Sequence, residues 1–148
     1  TMPVFDLGNS VAVVPMHNPA TYSADRDGAV VDTVNFAYAF IVFHAGNIVN
    51  PEQIVFTVEE AETASGSFSA CKILGTDTDA QIRIQNAQDD SCLIVRIDLN
   101  NTKRFIRARA DHSASAGHTY AVSMVLLPYN TDATTSDTGA ASAPTLSI

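Results

Sequence analysis

Tryptophan is absent and basic residues are scarce: eight Lys and Arg stand against sixteen Asp and Glu, a formal net charge of -8. A surface of that sign repels phosphate, which excludes nucleic acid as a general partner. Charge of either sign is thin as well. Only 16% of the residues are charged, against roughly 25% in ordinary soluble chains, so Ser, Thr, Asn and Ala must cover much of the surface. No apolar run approaches the roughly 18 residues of a membrane helix, and no basic stretch followed by an apolar one opens the sequence, so neither membrane insertion nor an address is expected. The two cysteines, Cys71 and Cys92, follow no metal-binding spacing. By count they could form one disulfide, but two buried free thiols are the simpler expectation.

Signatures of catalysis are missing too. There is no G-x-S-x-G elbow, phosphate-binding loop, dinucleotide fingerprint or H-E-x-x-H. Asp111, His112 and Ser113 are the residue types of a triad, but neighbours on an extended chain point in alternating directions and cannot assemble one. His17, His44, His112 and His118 lack the spacing of a metal site and read as polar surface or strand-end residues. Asp77 and Asp79 lack the glycine and distal glutamate of a calcium loop and read as a solvated turn. Asn100, Asn101 and Thr102 match the glycosylation sequon and read as a turn. No enzyme activity, metal or cofactor is expected.

What is present is alternation. The 148 residues, 46% of them hydrophobic, suffice for one domain with its own core. Apolar residues recur with period two in short segments separated by Gly, Asn, Asp, Ser and Pro, the pattern of strands and turns. Leu93, Val95, Ile97 and Leu99 make one apolar face. Ile106, Ala108 and Ala110 make another, opposite Phe105, Arg107 and Arg109, and Asn100 and Asn101 between these two runs suggest a hairpin. Tyr120, Val122, Met124 and Leu126 alternate with Ala121, Ser123, Val125 and Leu127. Phe36, Tyr38, Phe40 and Val42 alternate with Ala37, Ala39, Ile41 and Phe43. In these last two segments both faces are apolar, so each is either central or covered by a second layer or subunit. Ile54, Phe56 and Val58 give a further strand, residues 11–16 another, and Asp27-Gly28 reads as a hairpin turn before residues 29–31. The sum is an all-β fold of about eight strands, an antiparallel β-sandwich or jelly-roll-like barrel over residues 10–129. Residues 1–9 read as an N-terminal arm. Residues 130–148 read as a flexible or partner-bound tail, with Leu146 and Ile148 as its apolar anchors.

Five of the eight basic residues, Arg96, Lys103, Arg104, Arg107 and Arg109, fall in two strands expected to be neighbours. Either they pair across strands with acids such as Glu59, Glu60 and Glu62, or they meet an acidic surface on a partner.

Between about residues 29 and 128 the order of features resembles a group of small structural head proteins of tailed bacteriophages. Phe36 to Gly46 looks like their first long strand, Ile54 to Ala61 like the strand running into an acidic turn, and Ala70 to Gly75 like a short Leu-Leu-Gly segment. Asp98 to Arg107, with Lys103, Arg104, Phe105, Ile106 and Arg107 in sequence, is similar to a hairpin carrying Lys-Arg-Tyr-(Val/Ile)-Arg. The chain departs by Asn100, Asn101 and Thr102 in place of a glycine turn, and by its acidic Ser/Thr/Ala-rich tail after Pro128. The resemblance implies a virion component made in the bacterial host cytoplasm: a decoration or cement protein that binds its own copies and the major capsid protein. A trimer is expected from the three-fold positions of shells. The alternative is a carbohydrate- or cell-surface-binding module such as a head-fibre component. That alternative lacks tryptophan for stacking on sugars and would use a loop near Tyr22 or Tyr129.

Overall fold

The computed structural model describes residues 11–128 and the backbone of Leu146–Ser147. The expected arm at 1–9 and most of the expected tail, Ile148 included, lie outside the described residues. Two antiparallel sheets pack face to face. The first has the order β1 (Ala12–Tyr22), β10 (His118–Pro128), β4 (Phe36–Ala45), β8 (Cys92–Asp98) and β11 (Leu146–Ser147). The second is built on β9 (Phe105–His112) and β5 (Gln53–Ala61). The short β2 (Arg26–Asp27) and β3 (Val31–Asp32) pair with β9, and β6 (Ser69–Ala70) and β7 (Gln81–Gln85) pair with β5. The fold is the sandwich the alternation predicts.

The period-two pattern sets which side chains enter the core. Ile41 and Phe43 from β4, Ile54 and Phe56 from β5, Ile106 from β9 and Val122 and Met124 from β10 are all fully buried, each contributing about 1.5–3 kcal/mol. Phe56 bridges the sheets: its ring centroid lies 5.0 Å from Phe43 and 5.0 Å from Tyr120, both on the first sheet. β7 has no counterpart in the sequence reading, although Ile82 and Ile84 alternate with exposed Gln81, Arg83 and Gln85.

Two expected hairpins do not form. β8 and β9 lie in different sheets, β8 beside β4 and β9 beside β5. Between them Leu99–Asn101 makes a single 3-10 turn whose start is capped by the Asp98 carboxylate, which accepts from the Asn100 N–H at 3.0 Å. Leu99 turns into the core, so the chain crosses between layers where a tight turn would have kept it within one. Asp27-Gly28 is likewise no hairpin turn. Arg26–Asp27 and Val31–Asp32 both pair with β9 along one edge, with an interruption between them.

That interruption is fixed by a close approach. In β1 the register shifts after Pro15, so consecutive residues Met16 and His17 are both buried, as a bulge allows. The His17 Nε2 donates to the Ala108 carbonyl of the opposite sheet at 2.8 Å, and the Gly28 N–H donates to the same oxygen at 2.9 Å. A Cβ on Gly28 would stand 2.7 Å from that oxygen and 2.9 Å from the His17 Nε2. Gly28→Ala is therefore expected to lower stability by about 1–3 kcal/mol through overpacking, read from the urea midpoint. An unchanged midpoint would show that the clip between sheets yields freely.

Candidate interaction faces

The outer faces of the two sheets differ in kind. On the second sheet the register sets Glu59 opposite Arg107 and Asp27 opposite Arg109. Arg107 reaches Glu59 at 2.6 Å and Asp27 at 3.1 Å while its guanidinium lies 4.2 Å from the Phe68 ring centroid. Arg109 pairs with Asp27 at 3.0 Å and with Asp111 at 2.9 Å. Arg104 makes a two-pronged contact with Asp32 at 2.8 and 2.7 Å, which holds the Asp32 carboxyl below its ordinary range. Lys103 gives its main-chain N–H to Glu60 at 2.9 Å. Of the acids named from sequence Glu59 pairs with an arginine side chain, while Asp27, Asp32 and Asp111, on β2, β3 and β9, supply the other partners.

The five basic residues therefore do not form one surface. Arg96 lies on β8 in the first sheet, whereas Arg104, Arg107 and Arg109 line the second and are paired within the molecule. The exposed Arg104–Asp32 pair is screened by solvent and contributes little, while Arg107 and Glu59 are better shielded, with side chains 20% and 14% exposed. Their effect is to keep this face charged, wet and internally balanced. Leu146, expected as a partner anchor, belongs to the two-residue β11 that runs parallel to β8 with Leu146 opposite Val95 in the same chain.

The first sheet presents the reverse. β4 buries Ala37, Ala39 and Ala45 beside Ile41 and Phe43, and turns Tyr38, Phe40 and Val42 outward, while Phe36 at its start packs against the core. It is central, between β10 and β8, as one of the two expectations had it. Pairing across the sheet aligns Val13, Val125, Phe40 and Arg96 in one outward row, Leu127, Tyr38 and Asp98 in the next, and Pro15, Ser123, Val42 and Ile94 on the other side. The outward residues of β10, β4 and β8 are half-buried, while Val13, 64% exposed, and Pro15 lie open on the edge strand β1. Among these rows the charged residues are Arg96 and Asp98, one of each sign. Of the aromatic residues in the middle of β4, Phe43 is core whereas Tyr38 and Phe40 belong to this face.

The histidines depart from expectation. His17 and His118 are buried, and the side chain of His112 is 1% exposed, leaving His44 on the surface. His112 and His118 lie together at the end of the sandwich where residues 46–52, 86–91 and 113–117 cross between sheets. The Val49 N–H donates to the His118 Nδ1 at 3.0 Å, so the ring hydrogen lies on Nε2 and points to Glu52 at 3.1 Å. Glu52 also accepts from the Ala116 N–H, and the Ser113 hydroxyl accepts from the Gln53 N–H. His112 stacks on His118 with centroids 5.7 Å apart. Sequence parity carried the signal: His112 continues the buried series of Ile106, Ala108 and Ala110, and His118 precedes Tyr120 and Val122.

Asp111, His112 and Ser113 are directed to Arg109, the core and Gln53 respectively. Asp79 pairs with Lys72, and the 73–78 loop closes on itself through main-chain bonds and the Thr76 hydroxyl, with Gly75 at φ +76°. Among the described residues no three His, Cys, Asp or Glu side chains converge as metal ligands would. The cysteines are unpaired. Cys71 is buried, with burial and nearby Glu60 pushing its thiol far up, while Cys92 is exposed, against the expectation of two buried thiols. No helix of the described residues is long and apolar enough to cross a membrane. Compared with known proteins, the chain matches no family model and no curated protein.

The buried imidazoles give a pH dependence. Nδ1 of His17 and of His112 meet no hydrogen-bond partner. Burial lowers both pKa values below 6.5, with Arg26 and the neighbouring histidine adding to the shift and the carboxylates Asp27, for His17, and Asp25 and Asp111, for His112, opposing it. The unfolded chain thus binds protons near pH 6.5 that the folded chain refuses. This stability is complete above that pH and is lost as pH falls through the lowered folded values. The thermal midpoint is expected to drop steadily from pH 7 to pH 5, and His112→Phe to flatten part of the slope. A flat profile in the parent chain would contradict the assignment.

Proposed function

We propose that the chain is a structural protein of a tailed-bacteriophage head, a decoration or cement subunit that binds neighbouring copies and the major capsid protein and acts without catalysis. The observation that carries this reading is the outward aromatic face of β4. A free monomer gains nothing by burying Ala37 and Ala39 and leaving Tyr38 and Phe40 half-exposed, whereas a subunit covered by neighbours does. The resemblance over residues 29–128 supplies the setting, and the low charge supports a surface made for contact. Each contact is weak, and many made together on a shell hold it against internal pressure. The sugar-binding alternative has less support at Tyr22, whose ring is engaged by Arg26 at 3.8 Å and by Tyr120 at 4.9 Å, while Tyr129 lies outside the described residues.

The test is made on particles of the encoding phage. Purified heads are expected to contain the chain in a fixed ratio to the major capsid protein. Heads assembled without it should release DNA at lower temperature, and adding back the full chain should restore resistance. Absence from the particles, or equal heat resistance with and without the chain, would overturn the proposal.

A further inference from the structure

Resting on that reading, we infer that the outward face of β1, β10, β4 and β8 is the surface through which two copies of this chain pack on each other, sheet to sheet, about a two-fold axis.

Three observations select a second copy as the occupant. The first is charge. With a formal net charge of -8, two copies repel on average, and they approach best through a surface carrying no net charge of its own. The rows of this face carry Arg96 and Asp98, which sum to zero, whereas the other sheet is crowded with charges already paired internally. A strongly charged partner would find no complement on this face.

The second is area. Four strands at about 4.8 Å spacing, with β4 ten residues long at about 3.3 Å each, give a patch of roughly 600 Å² per copy. Two such patches reach the lower end of the roughly 1,200–2,000 Å² that stable interfaces bury.

The third is shape and composition. Tyr38, Phe40, Val42, Val125 and Leu127 form a continuous apolar strip on a pleated surface, the form in which sheets stack about 10 Å apart. A patch that meets itself is isologous and closes at two copies, with Arg96 and Asp98 lying on the same flank of each. The pair replaces the trimer suggested by shell symmetry, and larger assemblies then arise on the shell through other surfaces.

The experiment is light scattering on the full chain under reducing conditions, so that exposed Cys92 cannot create a covalent pair. It compares the parent with Phe40→Glu, Val125→Lys and, on the opposite sheet, Arg83→Glu. The parent and Arg83→Glu are expected at twice the 15.7 kDa chain mass. Each face variant is expected to weaken association at least about thirtyfold while keeping the parent's circular dichroism spectrum. Should Phe40→Glu fail to fold, Val125→Lys and the milder Tyr38→Ser carry the test. A parent that stays monomeric, a closed trimer, or face variants that dimerise as well as the parent would each overturn the inference. So would a parent monomer that dimerises only when cut after Tyr129, since the chain's own tail would then be the occupant. Failure of the head-binding test with dimerisation intact sinks the phage reading alone. Head binding by a monomeric chain sinks the dimer alone.

Discussion

The sandwich depends on supplying hydrogen-bond partners to main chain that leaves one sheet for the other. Strand ladders satisfy their own N–H and C=O groups, whereas crossing segments have no ladder and would bury unpaired polar groups. At the end near the start of β5 the segments 46–52, 86–91 and 113–117 run side by side and satisfy one another through side chains. His118 takes the Val49 N–H, Glu52 takes the Ala116 N–H, and Asp89 takes the Ile48 N–H at 2.8 Å. Asn86 returns its amide to the Ile48 carbonyl at 3.2 Å. His118 is thus a structural fastener. Its residue type suits the task because an imidazole can accept at one nitrogen and donate at the other. Stacked on it, buried His112 makes this end sensitive to acid.

With the crossings fixed, the register of the long strands has no freedom left. A slip of one residue in β4 would carry Ile41 and Phe43 outward and Phe40 and Val42 inward, and would break alignment with both β10 and β8. Side choice is therefore made together for every strand in a sheet, and the two outer faces become separate surfaces. One is laced by Arg104, Arg107 and Arg109 with carboxylates brought by β2, β3 and β5. The other is apolar.

Much of this was legible in the sequence. Alternation in 36–45, 93–99, 105–110 and 118–127 marked strands and separated their faces, because side-chain direction follows from residue parity alone. Parity does not say which strand lies beside which. Asn100 and Asn101 therefore read as a hairpin, when Asp98 capping and Leu99 burial turn the chain into the other layer. Partner choice for the arginines was hidden for the same reason: Asp32 and Arg104 are 72 residues apart in sequence. The histidine positions were legible in principle from their parity with buried neighbours, but polarity argued against placing them inside. The apolar second face of β4 was visible in the sequence, and only the structure showed that Tyr38 and Phe40 lie on it while Ala37 and Ala39 face the core with Ile41 and Phe43.

That placement is not dictated by the core. The layer between the sheets is about 10 Å thick, and Ile54, Phe56, Ile82, Ile84 and Ile106 already fill it from one side, so small residues at Ala37, Ala39 and Ala45 fit opposite them at normal packing density. Core packing thus explains the inward alanines and places no demand on the outward positions, where Thr or Ser would satisfy the same backbone with better solubility. Leaving Tyr38, Phe40, Val125 and Leu127 half-exposed to water works against solubility and invites association. The proposed pairing, in which a second apolar surface is laid over the sheet, would account for them.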